Sequence, residues 1–446
     1  MPSRRPANAS AVPITRRRFL RQTGLSLAVG FAFPALIPAR ALGRGGTVSP
    51  ANRITMGVVG ASQGMVNAER FLQYPDVQVT SVCDVDATRL ARAAQRINTH
   101  YDNTSAKPWL DFREMFARGG LDAVIIAPPD HWHGLMAIAA ARLGMDVFGE
   151  KPVAHSLAEG RAVVNAIQHH GRIWQTGSWQ RSEKHFRQAA ECVRNGRLGK
   201  ISHVEIGTYG GLPQARPKPT NYASPPATLD YDLWVGPAVW TNYDPRVTHN
   251  NWRYVLEYGG GKLLDWIGHH GDIAQWALGL DNSGPQKISA TGFFGQTPPY
   301  DVAYKYDCTL SFAGGVEMRV SSDYQPGAKF VGERGWIFVS RGRGMGGARL
   351  LDASDPSILA EERDSDAIAL YRSGDHWRNF IDCIKARRET VAPAEAGHRS
   401  ASLGHLCHIA MQTGRTLHWN PATETFHDDP AATALLQPAF RTPWSL

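Results

Sequence analysis

Cysteine is scarce in this chain. The 446 residues hold five, Cys83, Cys192, Cys308, Cys383 and Cys407, an odd number, widely spread, with no C-x-x-C pair. That excludes a disulfide framework and suits buried thiols that pack as small hydrophobes. Acid is missing altogether from residues 1–41, which carry seven arginines: Arg4, Arg5, Arg16, Arg17, Arg18, Arg21 and Arg40. Most of the formal net charge of +8 therefore sits in that segment. The remainder is near neutral and shows no basic stripe of the kind that tracks phosphates, so no nucleic-acid partner is expected. Long apolar runs are missing too. The modest one at 24–37 is broken by Pro34 and is short of the roughly 20 residues a membrane span needs. No internal repeat is present. What remains is an ordinary globular composition, 43% hydrophobic and 20% charged, with length for two or three domains.

The basic segment reads as an address. Thr15-Arg16-Arg17-Arg18-Phe19-Leu20-Arg21 resembles the twin-arginine export signature, and Ala39-Arg40-Ala41 offers a small-residue cleavage site. Residues 1–41 are thus expected to be a signal peptide and 42–51 a Gly/Ser/Pro-rich linker. The product is expected to be exported to the periplasm, with membrane contact only through an uncleaved signal.

From residue 52 apolar strands alternate with helices. Strands are expected at 54–59, 77–83, 123–127, 145–148 and 172–176, and helices at 67–73, 87–98, 135–143 and 157–169. This spacing implies an α/β domain over 52–176, with a parallel sheet and crossover helices. After about residue 200 the pattern changes. A half-exposed strand is expected at 201–209, and a loop with five prolines at 213–226. Strands at 304–312, 316–322 and 335–340 suit an antiparallel sheet, and helices are expected at 265–280, 376–387 and 399–413. Residues 177–446 are read as a second α/β domain.

Gly60 and Gly64 follow a strand and precede a helix, the context of a dinucleotide cradle in which backbone approaches a pyrophosphate. The fingerprint is imperfect: Ser62 and Met65 stand where glycines are usual. Asp84, at the end of the next strand, is placed to accept from ribose hydroxyls and to repel a 2′-phosphate, which favours NAD over NADP. The turn Pro128-Pro129-Asp130-His131-Trp132-His133 ends a later strand at the sheet edge where ligands sit. His131 and His133 have the spacing of a metal pair on a strand, but no carboxylate or cysteine partner is evident, and we read them, with Pro128, as cofactor-lining. Glu150 and Lys151 end the next strand. Asp265 and His269, four apart, share one face of a helix. A cofactor cradle, a lysine and an Asp/His pair together suit hydride transfer. Glu395, His398, His405 and His408 mimic a metal spacing but are read as helix packing, so no metal is expected.

These stretches, with Gly57–Gly64, Cys83-Asp84-Val85-Asp86, Glu150-Lys151-Pro152 and Gly259-Gly260-Gly261-Lys262-Leu263-Leu264-Asp265-Trp266-Ile267-Gly268-His269, resemble the Gfo/Idh/MocA oxidoreductases over nearly everything after residue 52. Asp230–Pro237, Gly335–Ser340 and Gly397-His398-Arg399-Ser400 are similar to stretches of its exported twin-arginine members. The resemblance implies an N-terminal Rossmann domain and a C-terminal α/β domain with an open, mainly antiparallel sheet. It also implies NAD(P), a sugar or polyol substrate, and homo-oligomers formed through that sheet. It assigns Lys151 to substrate contact near the nicotinamide, and Asp265 and His269 to the reacting centre.

The chemistry expected is oxidation of a carbinol. His269 would take the hydroxyl proton, since imidazole titrates near neutral pH. Asp265 would orient that ring or bind a neighbouring hydroxyl, and Lys151 would polarise the reacting oxygen. Of the thirteen tryptophans, one or two are expected in the substrate pocket. Trp179 is chosen there, with Arg181, His249 and Tyr254. Export sets a second reading beside the first, because no free NAD pool lies outside the cytoplasm: a redox-neutral glycosidase or lyase that recycles tightly bound NAD. A non-catalytic sugar-binding protein is a third.

Overall fold

The run Ile54–Val59 is apolar and almost wholly buried because it is the central strand, β1, of a parallel sheet. The computed structural model describes residues 48–213, 224–295, 297–342, 349–360 and 366–446. The expected signal peptide and most of the proline-rich loop lie outside the described residues. The compact unit considered below is Ile54–Leu446.

Helix α1 (Gln63–Phe71) leads from β1 to β2 (Val77–Cys83), and α2 (Ala87–Tyr101) to β3 (Lys107–Trp109). Asp86 caps α2, accepting from the backbone N–H groups of Thr88 and Arg89. There follow α3 (Phe112–Ala117), β4 (Ala123–Ile126), α4 (His133–Arg142), β5 (Asp146–Gly149), α5 (Leu157–His169) and β6 (Trp174–Thr176). The order in the sheet is β3-β2-β1-β4-β5-β6, all parallel. The chain's direction of winding reverses between β1 and β4, which opens a crevice at their carboxyl ends. This is a Rossmann-type sheet.

The second half contributes α6 (Lys184–Arg194), β7 (Ile201–Gly207), α7 (Tyr231–Val235), α8 (Gly261–Leu278), β8 (Lys287–Phe294), β9 (Ala303–Ser311), β10 (Glu317–Ser321), β11 (Gly327–Gly332), β12 (Gly335–Val339) and β13 (Leu351–Ala353). It closes with α9 (His376–Ala386), α10 (Ala394–Thr413), β14 (Leu417–Asn420), β15 (Thr425–Phe426) and α11 (Pro430–Ala434). Among the described residues its sheet has nine strands in the order β13-β12-β11-β7-β10-β9-β8-β14-β15. Every neighbouring pair is antiparallel except β7 with β10. Helix α8 packs on this sheet and between α6 and α10.

Two differences from the sequence expectation bear on the site. Helix α8 begins at Gly261, not Asp265, because the glycine run lets the chain turn tightly there: Gly261 has φ +63°, and a Cβ on Gly260 would lie 2.5 Å from Leu264 Cβ. Asp265 is therefore in the second turn and does not start the helix. Helix α9 returns to the first sheet. Phe380, Ile381 and Ile384 share a core with Met56, Phe71 and Phe148, and Arg378 clamps Asp76 with two hydrogen bonds of 2.8 and 2.9 Å. The boundary drawn at residue 176 is thus crossed by a later helix that completes the first layer.

Candidate active site

The crevice at the carboxyl edge of the first sheet widens into a cavity of about 840 Å³ that runs on to α8. Gly60 begins its wall. It has φ +92°, and a Cβ there would meet the carbonyl oxygen of Ala127 at 2.4 Å, so only glycine fits between β1 and the end of β4. Ser62, the residue before α1, and Gln63 line the cavity; Ser62 makes no side-chain cap and the first turn of α1 holds no acid, which leaves its amides for an anion. Asp84 secures this turn: Oδ2 accepts from Ala61 N at 2.7 Å and Oδ1 from Asp86 N at 2.9 Å. Asp84 lines the cavity, and its carboxylate keeps acceptor capacity beyond these two bonds. A glycine turn pressed to the sheet, open helix amides and a carboxylate at the next strand end fit a dinucleotide.

The residues expected to bind cofactor divide. Gly60, Ser62, Asp84, Pro128, His133, Glu150 and Lys151 line the cavity. Gly64 does not; it lets α1 lie on β1, since a Cβ would come within 2.9 Å of Val58 Cγ1. Met65 is corrected from cofactor contact to core: it is 1% exposed and packs with Met56 and Phe71. His131 is also corrected. Its ring turns away, with Nε2 3.0 Å from Trp234 O and the ring against Tyr258. The His133 ring is held between the carbonyls of Pro152 (2.6 Å) and Pro128 (3.0 Å) and latches the two strand-end loops together. Glu150 bonds the same loop to α1, accepting from Asn67 Nδ2 at 2.8 Å and Gln63 Nε2 at 3.3 Å.

At the other end stand Lys151, Asp265 and His269. Lys151 Nζ donates to Asp265 Oδ1 at 2.7 Å and to Asp265 O at 2.9 Å. Lys262 Nζ lies 3.2 Å from Oδ2, and Arg253 Nε 3.7 Å from Oδ1. Burial works against the Asp265 charge, but these three cations hold the carboxyl below the usual range. Asp265 thus positions Lys151 and does not orient His269, as one expectation had it. His269 meets Arg341 instead, whose Nη2 is 3.0 Å from each ring nitrogen. Arginine only donates, so it faces a lone pair of a neutral imidazole. Burial first, then Lys151, Arg341 and His270, push the His269 pKa well below its ordinary value. Asp130, beside the same charges, is wholly buried, and that burial pushes its carboxyl up to about 8.

Of the substrate residues expected, Trp179 lines the cavity. Arg181 is corrected: it is 1% exposed and bonded to Asp272 and Asp281, four contacts of 2.8 to 2.9 Å, and takes no part in the wall. Tyr254 packs on Tyr300 outside the cavity, and its neighbour Arg253 lines it. His249 does line it, but at the Asp84 end, 3.4 Å from Asp86. Six tryptophans reach the wall of the whole cavity, cofactor end included, among them Trp234, Trp252 and Trp266. Trp174 is core and Trp240 is half exposed. Near α10, Glu395 and His398 are engaged by Arg161 and Glu424, and His405 and His408 each meet a backbone carbonyl. Arg341, Arg253 and Asp130 escaped the sequence reading. Only Asp130 carried a signal, its place in the strand-end turn.

Residues 54–178 match the family model described as an oxidoreductase family, NAD-binding Rossmann fold, and 187–339 with 361–446 match its C-terminal alpha/beta domain. The chain is 27% identical to the myo-inositol 2-dehydrogenase of Thermotoga maritima over 380 residues, 81% of this chain and 97% of the relative. It is 28% identical to the scyllo-inositol 2-dehydrogenase (NAD(+)) of Bacillus subtilis over 232 residues, 51% of this chain and only 57% of that relative's length. The fold is similar to that of the WlbA dehydrogenase from Bordetella pertussis, solved in complex with NADH and UDP-GlcNAcA, with a TM-score of 0.59, 18% identity, and coverage of 82% of this chain and 99% of that one.

Proposed function

We propose that this chain, which belongs to the Gfo/Idh/MocA oxidoreductase family, oxidises a carbinol carbon of a sugar, polyol or glycoside. The observation that carries the reading is the Lys151–Asp265 pair beside a neutral His269, at one end of a cavity whose other end is the Gly60–Asp84 cradle. NAD, when bound, supplies the hydride acceptor. Gly60, Ser62 and Gln63 would hold its diphosphate and Asp84 its adenosine ribose. Lys151, held in place by Asp265, donates to the substrate oxygen and stabilises the negative charge that grows there. His269 accepts the hydroxyl proton. Its depressed pKa keeps the imidazole neutral at physiological pH, and its lone pair, which Arg341 Nη2 faces, takes the proton once that donor turns to the substrate. Trp179 and Trp266 line the same end of the cavity.

The test begins with protein purified without added nucleotide, denatured and assayed for NAD(H) and NADP(H), then incubated with NAD and a panel of sugars and polyols. Bound or added NAD and absorbance growth at the NADH wavelength are expected. Glycoside cleavage with no net NADH would replace this reading with the redox-neutral one. Sugar binding with no affinity for either nucleotide would sink both.

We also propose export through the twin-arginine route, on the strength of Arg16-Arg17-Arg18-Phe19-Leu20 and the acid-free segment around it. Cell fractionation tests it, and retention of a twin-lysine variant in the cytoplasm is expected. Self-association through the nine-stranded sheet, which the family resemblance implies, is proposed as well. Light scattering that gave a monomer would overturn it.

A further inference from the structure

Arg341 follows β12 into the cavity wall. Its guanidinium carbon lies 4.6 Å from the ring centre of Trp179 and 4.8 Å from that of Trp266, so the charge is laid between two indoles. All its hydrogen bonds to described residues run through Nη2, to Gln180 Oε1 at 3.3 Å and to His269. Nε is buried and has no partner among the described residues. No carboxylate among the described residues forms an ion pair with it.

Arg341 is partly buried, and a cation half withdrawn from water without a counter-charge is unfavourable, a cost that a ligand carboxylate would relieve. The surroundings do not supply the missing charge. Lys151, Arg253, Lys262 and Arg341 are four cations, while Asp265 and Glu150 are the two carboxylates acting on them. Asp130 is a weaker counter-charge than an ordinary carboxylate, since burial pushes its carboxyl up to about 8. Asp265 is already shared by three of the cations. The diphosphate of a dinucleotide is met elsewhere, at the Gly60 turn. The surplus sits with His269 and Lys151, at the reacting end.

We propose that Arg341 anchors a carboxylate of the substrate, so that the site takes an acidic sugar such as a uronate in preference to a neutral polyol. The inference rests on the dehydrogenase reading for the placing of the sugar, and deepens it by naming the substrate class. A carboxylate seated between Trp179 and Trp266 neutralises the guanidinium in a water-poor setting, where the pair is strong. A neutral sugar leaves the partly buried charge unpaired, and that difference is the source of selectivity. Pairing also draws Arg341 toward the substrate and leaves the His269 lone pair to the hydroxyl proton.

Titration calorimetry on the NAD-loaded full chain tests this with matched probes: D-glucuronate against D-glucose, D-galacturonate against D-galactose, and methyl glucuronide against methyl glucoside. At least one acid is expected to bind tenfold or more tightly than its neutral partner. Arg341→Met should erase that ratio, and Arg341→Lys should keep part of it, with NAD affinity unchanged in both. Neutral partners that bind as tightly as the acids, no binding by any acid, or a ratio untouched in Arg341→Met would each overturn the proposal. The wild-type ratio needs no variant to fold. Turnover of neutral sugars with acids ignored would sink the anchor and leave the dehydrogenase. Binding of uronates by a protein that takes no NAD would do the reverse.

Discussion

Arg181 and Arg341 are both drawn from water and both laid on tryptophan, the first 5.3 Å from the ring centre of Trp276 and the second between Trp179 and Trp266. Around Arg181 everything is closed. Asp272 and Asp281 each grip it through two hydrogen bonds, and although burial opposes its charge, these carboxylates hold its pKa above the ordinary arginine value. Around Arg341 the balance is open. It touches a neutral amide and a neutral imidazole, and burial pulls its pKa down to about 10 against the weaker opposition of Asp265 and Glu150. The same side chain in similar aromatic surroundings is a structural rivet where its counter-ions are built in, and a binding group where they are left out. Arg181 is also the more deeply buried, 1% exposed against a partly exposed Arg341, so burial and the charge count separate the two together.

The strongest way to break this comparison is to unfold the two variants. Arg181→Met leaves Asp272 buried and unpaired, and breaking a buried pair from one side costs about 3–5 kcal/mol. Arg341→Met removes a cation that has no carboxylate partner among the described residues, so a change within about 1 kcal/mol is expected. Urea denaturation of the nucleotide-free proteins reads both. Equal losses would mean that Arg341 is as structural as Arg181.

The next test acts on the partner. His269→Gln keeps a hydrogen-bonding group near Arg341 but removes the proton acceptor. A fall in kcat of roughly a hundredfold is expected from the loss of general-base catalysis, with urea stability close to wild type. A variant that keeps its kcat would move the base role elsewhere, Lys151 first.

A third variant turns one arginine into the other. Gln180 Oε1 is the acceptor already 3.3 Å from Arg341 Nη2, and Gln180→Glu gives Arg341 the built-in carboxylate that Arg181 has. A charge-assisted hydrogen bond contributes about 1.5–3 kcal/mol, so the acidic sugar that binds best should lose roughly tenfold in affinity (about 1.4 kcal/mol) while its neutral partner changes less. If the acid binds Gln180→Glu as tightly as wild type, the open balance around Arg341 is not what selects it.

How much of this was legible in the sequence follows from distance along the chain. Strand β2 at Val77–Cys83 and helix α5 at Leu157–His169 fall where they were expected, since their periodicity and the Ser156 cap are local. The Gly60 turn and Asp84 are likewise a strand apart. Lys151 and Asp265 were both visible as candidates, but their bond spans 114 positions and nothing local announced it. Arg181 was misplaced for the same reason. It follows Trp179, which does line the cavity, but its carboxylates lie 91 and 100 residues on. Arg341 is 72 residues from His269, at the end of a strand whose pattern speaks only for the core behind it. Charge pairing is decided by the assembled fold, and a single sequence shows the charges without showing the pairs.

The finest test is a pH profile. In wild type the imidazolium form of His269 is disfavoured by burial, then by the positive charges of Lys151 and Arg341 and by His270. The base is competent only when neutral, so the acid limb of kcat/KM marks the pH at which His269 takes its proton, and that limb lies below the ordinary histidine range. Arg341→Met deletes one of the repelling cations. The imidazolium becomes easier to form, the folded-state pKa rises, and the acid limb moves to higher pH, measured with a neutral substrate so that the loss of a carboxylate anchor does not intrude. Arg181→Lys should leave the limb in place, because the charge there is kept and is already balanced by Asp272 and Asp281. If the limb stays fixed in Arg341→Met, the group titrating in kcat/KM is not the imidazole that Arg341 touches, and the proton acceptor has to be sought among the other groups of the wall.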